Sequence, residues 1–211
     1  MTAALAVISA ALALGPLPAR GFALETNTGV QLQSLGGRPL ATLRGLDLAP
    51  DQAIAHKAAL RSRRGRVFTL SRGRLRETRF RSGCRVTDMQ VTVCPRTITG
   101  ATRVLARAPS KAGHWVWAER APYRDELLAQ WLGECEVPVA YLVVRGKLHP
   151  FGRESVALGW LPSGEAVIQF PNGPCTGGWS PVRGIYRAAG TTKLRLLLRT
   201  NRFAQYLMWG G

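Results

Sequence analysis

The stretch RGRVFTLSRGRLRETRFRSGCR, Arg64 to Arg85, alternates short apolar runs with glycine-containing turns. VFTL and RLRETRF flank Ser71-Arg72-Gly73, which predicts two antiparallel strands joined by a tight turn. From Gly65 onward most of the chain has the same pattern of short strands punctuated by Gly, Pro or Asn. We therefore predict a mainly β domain, built as an antiparallel sandwich or a partly closed barrel.

Two segments predict short helices within this β domain. The first runs from Asp47 to about Arg63, with a proline in its first turn followed by the helix formers of DQAIAHKAAL. The second, Pro122 to Leu132, has acids in its first turn and apolar side chains at helical spacing. The prediction is thus mainly β with one or two short helices, and α+β is the alternative.

The composition is that of a globular protein with a strong basic excess. The chain has 211 residues, 46% of them hydrophobic and 19% charged, which suits a single domain. Its net charge of +17 comes from 25 Arg and 4 Lys against 12 acids. Such a charge favours association with polyanions but does not specify a fold.

The excess charge is concentrated in one part of the chain. Residues 61–112 carry 14 basic residues against 2 acids, whereas residues 24–60 have no net charge and residues 113–136 are net acidic. Within the basic segment, alternation puts Arg72, Arg74 and Arg76 on one strand face and Leu75 on the other. A second basic face is predicted from Lys193, Arg195 and Arg199, and it could adjoin the first.

The first 23 residues predict a signal peptide. TAALAVISAALAL, Thr2 to Leu14, is too short to span a bilayer as a helix, which requires about 20 residues. Gly21-Phe22-Ala23 suits cleavage before Leu24, although no basic residue precedes the apolar run. We predict a signal peptide at 1–23, a single disulfide-bonded β-rich domain at 24–211, a secreted or periplasmic location and no transmembrane span in the mature chain. The alternative is an N-terminal apolar helix packed on the domain.

Four cysteines fit a disulfide framework in an exported protein. CRVTDMQVTVC predicts a hairpin with a three-residue loop at Asp88-Met89-Gln90, which places Cys84 opposite Cys94. The remaining pair is Cys135 with Cys175. Zinc is a weak competitor, because the spacing contains no C-x₂₋₄-C knuckle.

No catalytic, metal or cofactor motif stands out, so the sequence favours a non-catalytic role. His56, His114 and His149 form no H-x-x-x-H or H-x-H pair, and G-x-S-x-G is absent. No cofactor and no metal site is predicted. Trp115 and Trp117 are placed on one strand face, either as core residues or as a stacking platform.

The arginine segment therefore leads the functional prediction. Its planar guanidinium groups suit phosphate, sulfate or carboxylate. The predicted anion-binding residues are Arg64, Arg66, Arg72, Arg74, Arg76, Arg79 and Arg81. The alternative is a solvated sheet face whose arginines discourage strand aggregation.

We predict an exported domain that binds an anionic polymer or envelope component. The partner would be an anionic polysaccharide, a lipid headgroup or another polyanion, and nucleic acid is less favoured outside the cytoplasm. Two alternatives come from other classes: an exported hydrolase whose site combines His114, His149 and carboxylates, and an envelope-structural protein.

Overall fold

A computed structural model describes ten segments of the chain: residues 17–18, 20–49, 58–71, 74–78, 85–86, 92–93, 109–110, 112–170, 183–200 and 204–208. These residues are mainly β-strand and contain no α-helix, with one 3-10 turn at Glu134–Glu136. The predicted mainly β class is confirmed, and the predicted short helices are not found in this part of the chain.

Eighteen strands fall within the described residues. In chain order they are β1 (Arg20–Thr26), β2 (Gly29–Ser34), β3 (Pro39–Arg44), β4 (Leu46–Leu48), β5 (Ala58–Ser62), β6 (Val67–Ser71), β7 (Arg74–Thr78), β8 (Arg85–Val86), β9 (Thr92–Val93), β10 (Gly113–Arg120), β11 (Glu126–Gly133), β12 (Pro138–Val144), β13 (Lys147–Arg153), β14 (Val156–Trp160), β15 (Ala166–Phe170), β16 (Gly184–Ala188), β17 (Leu194–Arg199) and β18 (Ala204–Met208).

The strands form four antiparallel sheets of four strands and one of two. Sheet I has the order β18-β1-β2-β3, sheet II β4-β5-β6-β7, sheet III β10-β11-β12-β13 and sheet IV β14-β15-β16-β17, while β8 pairs with β9. The four larger sheets lie in a propeller-like ring. β4 packs on β1 and β2, β14 packs on β11 and β12, and β14 also contacts β18. This ring replaces the predicted sandwich or barrel, because each sheet packs against sequence-neighbouring sheets instead of stacking on one opposing sheet.

Apolar clusters fill the spaces between neighbouring sheets. Cluster A joins sheets I and II and contains the buried residues Ala23, Val30, Leu32, Leu43, Leu60 and Leu70. Cluster B joins sheets I and IV and contains Phe22, Leu24, Leu161, Val167 and Ile185. Cluster C joins sheets III and IV through larger side chains that include Phe151, Trp160, Phe170 and Tyr186. The core is therefore divided among the sheet interfaces.

The predicted helix at Pro122 to Leu132 is wrong. Most of that segment is strand β11, which pairs with β10 on one side and β12 on the other. Every residue from Leu127 to Leu132 is buried. A strand covered on both faces loses its polar alternation, so its continuous apolar run resembles a helix in sequence.

The predicted helix at Asp47 to Arg63 is wrong at both ends. Asp47 lies in β4 and faces Arg61 of β5 across an antiparallel ladder. Residues 50–57, which carry the middle of the predicted helix, lie outside the described residues. Ala58, Ala59 and Leu60, which are good helix formers, instead pair with β6 in sheet II.

Two hairpins in different sheets use the same glycine-containing turn. In Ser34–Arg38 and Ser62–Arg66, the first residue accepts a hydrogen bond from the glycine N–H, and its hydroxyl accepts one from the final arginine N–H. Gly37 and Gly65 have φ of 80° and 75°, a left-handed conformation that glycine adopts at little cost. This repeated turn fixes the register of short strands in different sheets.

Candidate anion-binding face

Strand β7 presents two arginines on one exposed face. It is the edge strand of sheet II, and it pairs with β6 without a register shift, so that Thr69 lies opposite Arg76. Arg74 and Arg76 are exposed, while Leu75 between them packs against cluster A. The regular ladder therefore preserves the alternation expected from sequence.

Arg66 lies apart from this arginine pair. Its guanidinium donates to both carboxylate oxygens of Glu77, with an Nε–Oε1 distance of 2.9 Å, and its Cζ lies 5.6 Å from the centroid of the Phe68 ring. Glu77 faces Phe68 across the ladder, on the same side of sheet II as Leu75. The hydrogen bond and the Coulomb attraction of Glu77 raise the pKa of Arg66 above its usual value. Arg66 is therefore engaged internally, opposite the face of Arg74 and Arg76.

The other predicted arginines are only partly described. Arg64 is exposed in the β5–β6 turn, at the end of sheet II away from Arg74. Arg72, Arg79 and Arg81 lie outside the described residues. Of the seven predicted residues, the structure thus brings Arg74 and Arg76 together, separates Arg66 and leaves Arg64 at a distance.

The second predicted basic face, on β17, is wrong. Arg195 lies opposite Arg187, and Arg199 lies opposite Gly184, with a register shift between these pairs. Arg187 and Gly184 are separated by an odd number of positions on the regular strand β16, so their partners project from opposite faces of sheet IV. The extra residue of this β-bulge splits the two arginines.

A bulge in β10 overturns a second prediction of the same kind. Trp115 faces Trp131 on β11, whereas Trp117 faces Gln130, the next residue along. The two indoles therefore project from opposite faces of sheet III. Trp115 packs edge-on against Trp131 and Tyr141, with centroid distances of 5.0 and 5.5 Å, and Trp117 packs against cluster C. Both are half-buried core residues.

The two histidines proposed for a hydrolase are not brought together. Both are exposed, but His114 lies on β10 and His149 on β13, the two edge strands of sheet III. Three strand spacings, roughly 14 Å, separate them across the sheet. They are also offset along the strands, because His149 pairs with Leu142, four positions from the Pro138 that lies in line with His114. His56 lies outside the described residues. Within the described part of the chain, no cluster of His, Cys, Asp and Glu could hold a metal ion.

The structure describes only part of the predicted cysteine framework. Arg85 pairs with Val93 and Val86 with Thr92, which is the register that the predicted Asp88–Gln90 loop requires. Cys84, Cys94 and Cys175 lie outside the described residues. Cys135 is exposed with a free thiol, in a turn where its φ is 57°. Both disulfides stay predictions.

Sequence reasoning missed the basic residues that follow other hairpin turns. Arg38, Arg145 and Lys147 are exposed and lie at or beside the turn that precedes the edge strand β3 or β13 of their sheet. They are dispersed along the chain, so no segment stands out by charge. The pairs Gly37-Arg38 and Gly146-Lys147 repeat the Gly-Arg pattern of Gly65-Arg66 and Gly73-Arg74, and this repetition is the signal that could have identified Arg38 and Lys147.

No family model, curated protein or solved structure matches this chain. Among the described residues, no helix is long and apolar enough to cross a membrane. The functional argument therefore depends on the chemistry of the exposed side chains.

Proposed function

We propose that the protein is an exported, non-catalytic domain that binds an anionic polymer or envelope component through the exposed face of β7. The observation that carries the proposal is the pair Arg74 and Arg76, exposed on one face of an edge strand. Neither forms an ion pair with the described residues, and the one acid of β7, Glu77, is engaged by Arg66.

The spacing of the pair suits a repeating anion. Side chains two positions apart on a strand are separated by about 6.8 Å, so two guanidinium groups can contact successive anionic groups of a polymer. Each guanidinium can donate two parallel hydrogen bonds to a phosphate, sulfate or carboxylate. Because β7 is an edge strand, no further strand of sheet II obstructs the approach of a long ligand.

The ligand class is an anionic polysaccharide, a lipid headgroup or another polyanion. Arg64, Arg72, Arg79 and Arg81 extend the same basic segment in sequence, and we include them as secondary contributors. Arg66 is left out of the binding set because Glu77 offsets its charge.

Heparin chromatography tests the proposal. We expect Arg74→Gln with Arg76→Gln to elute at lower salt, and the slope of log K against log salt to decrease by about 1 per lost contact. The matched control is Arg195→Gln with Arg199→Gln, which removes the same charge from the edge strand of sheet IV, where the arginines face opposite ways. Equal elution shifts for the two double variants would show a net-charge effect and would overturn the assignment to β7.

Export and the disulfides are part of the proposal, and β1 restricts the cleavage site. Cleavage before Leu24 would remove four of the seven residues of β1, including Phe22 and Ala23, which are fully buried. Leu17 also packs against cluster A, so we propose a cut before Leu17. The intact mass of the secreted protein, with and without reduction and alkylation, measures the cut and the number of disulfides together.

A further inference from the structure

Strand β7 differs from the corresponding edge strands of the other three large sheets, which are β3, β13 and β17. Each of those three strands has a register shift in its ladder, and β3 and β13 also contain a proline. Bulges and prolines are devices that prevent an edge strand from pairing with another chain. β7 has no proline, and its ladder with β6 is unbroken. Of these four edges, β7 is therefore the one suited to accept a further strand.

The free edge of β7 presents the backbone groups of Leu75 and Glu77. Two residues separate Ser71 from Arg74, and these two residues pair, so the closing pair exchanges both backbone hydrogen bonds. Hydrogen-bonded pairs alternate along an antiparallel ladder, which makes Arg76 the next residue to bond to β6. The N–H and C=O groups of Leu75 and Glu77 thus point away from β6. Among the described residues, no strand pairs with this edge.

The arginine face of β7 has the repeat of an extended polypeptide. Arg74 and Arg76 are exposed on one face and lie about 6.8 Å apart along the strand. Alternate side chains of an added antiparallel strand have the same spacing, so two acids two positions apart would lie opposite the two arginines. These would be non-hydrogen-bonded pairs, in which opposite side chains come closest. A polypeptide also offers backbone donors and acceptors at this repeat, which a polysaccharide or a lipid headgroup does not.

The other face of β7 specifies the remaining side chains of the partner. Leu75 is half-buried against cluster A, and Glu77 is bound by Arg66. An apolar, β-branched side chain beside Leu75 would extend the apolar cluster, whereas an acid on this face would be repelled by Glu77. The favoured partner strand therefore alternates acidic and apolar residues.

The charges of β7 oppose pairing with a second copy of the same strand. An antiparallel alignment about Arg76 would put Arg76 opposite its own copy, and an alignment about Leu75 would put Arg74 opposite Arg76. An alignment about Glu77 would put two glutamates opposite each other. Like charges directly opposite each other destabilise a strand pair. An acidic strand meets no such repulsion on the arginine face.

We propose that an extended acidic polypeptide adds to sheet II as a fifth strand beside β7. Its carboxylates face Arg74 and Arg76, and its backbone pairs with that of Leu75 and Glu77. The inference rests on the proposed function, because it uses the same arginine pair. It deepens that function by naming the polymer as a polypeptide that is bound through its backbone as well as its charge.

Two synthetic peptides test the inference with the full chain. The first alternates glutamate and valine over about nine residues, a common strand length, and the second carries N-methyl groups on its valine amides. These amides would donate to β7, and both peptides have the same charge. We expect the methylated peptide to bind at least about tenfold more weakly in fluorescence anisotropy at one salt concentration. Equal affinities would show attraction by charge alone and would overturn the inference.

Two substitutions at Leu75 separate the backbone contact from side-chain packing. Leu75→Pro removes the outward N–H without removing a bond to β6, a position at which an edge strand accepts proline. Leu75→Ala loses the apolar contacts and keeps the N–H. We expect Leu75→Pro to lower the affinity for the unmethylated peptide about tenfold and Leu75→Ala to lower it about twofold. Equal losses would contradict backbone pairing, and the peptide pair decides the question even if Leu75→Pro does not fold.

Heparin retention distinguishes failure of this inference from failure of the proposed function. Arg74→Gln with Arg76→Gln should reduce heparin retention and should weaken binding of the unmethylated peptide about fivefold. If heparin retention falls in this variant but the wild type binds both peptides equally, the proposed function holds and the fifth strand does not form. If the variant binds the unmethylated peptide as tightly as the wild type does, the partner need not be acidic and the inference fails.

Discussion

Strands β7 and β17 are both edge strands that carry two arginines with leucine between them, but the two strands place their arginines differently. β7 pairs with β6 in unbroken register, so Arg74 and Arg76 share a face. β17 contains a bulge opposite Ile185 and Tyr186, so Arg195 and Arg199 do not. One additional residue in a ladder therefore decides whether neighbouring cations act together or apart.

The largest loss of stability should come from a substitution at Gly184 of β16, where β17 approaches closely. A Cβ at Gly184 would lie 2.5 Å from the carbonyl oxygen of Leu198 and 2.8 Å from Cδ1 of Leu196, so Gly184→Ala must displace the bulged strand. We expect a loss of about 2 kcal/mol in the free energy of unfolding, measured by chemical denaturation. Val67, which pairs with the last residue of β7, is the matched position, and Val67→Ala should cost below about 1 kcal/mol. A smaller loss of unfolding free energy in Gly184→Ala than in Val67→Ala would mean that the bulged strand β17 does not constrain β16.

An intermediate effect on the free energy of unfolding is expected from two leucines, Leu75 on β7 and Leu196 on β17, each of which follows an arginine. Leu75 packs against cluster A, whereas Leu196 is 43% exposed. We expect Leu75→Ala to cost about 1–2 kcal/mol and Leu196→Ala about 0.5 kcal/mol or less in denaturant unfolding. Comparable costs would mean that β17 buries its leucines as β7 does.

The smallest effect should be a dependence of stability on alkaline pH, to which Tyr186 of sheet IV contributes. Burial raises the pKa of Tyr186, and the charge of Arg199 partly counteracts that rise. The folded state thus holds the phenolic proton more tightly than the unfolded chain does. The contribution is complete below the ordinary tyrosine pKa of about 10 and is lost as pH rises through the folded value.

Thermal unfolding at increasing alkaline pH measures this dependence. Tyr186→Phe should flatten the decline in stability. Burial also raises the pKa of Tyr141, so Tyr141 should account for part of the pH dependence that remains in this variant. Arg199→Gln should steepen the decline, because it removes the charge that favours the phenolate. Arg74→Gln, on sheet II, is the control; a similar steepening there would rule out a local effect of Arg199.

Much of the local structure could be predicted from the sequence. The β6–β7 pair around Ser71-Arg72-Gly73, and the β14–β15 pair around Pro162-Ser163-Gly164, form as expected from alternation and turn residues. The exposure of Arg74 and Arg76 with Leu75 inside also follows from period-two alternation. These features depend on neighbours in sequence, which a local pattern records.

The remaining features depend on long-range packing. The apolar run of β11 resembles a helix because neighbouring strands and sheets cover both of its faces. The bulges that separate Trp115 from Trp117 and Arg195 from Arg199 arise from the register with a partner strand, and alternation within one strand does not reveal them.

The pairing of β18 with β1 means that sheet I can be completed only after the strands between them have been synthesised. Residues 204–208 supply the inner strand of sheet I, whose other strands lie within residues 20–44. During synthesis the inner edge of β1 must therefore wait until nearly all the intervening sheets have been made. Contacts of such large sequence separation form slowly, and an unpaired strand edge is prone to join other chains in the meantime. We expect shortening of this last strand to leave the ring open and to favour aggregation over loss of secondary structure.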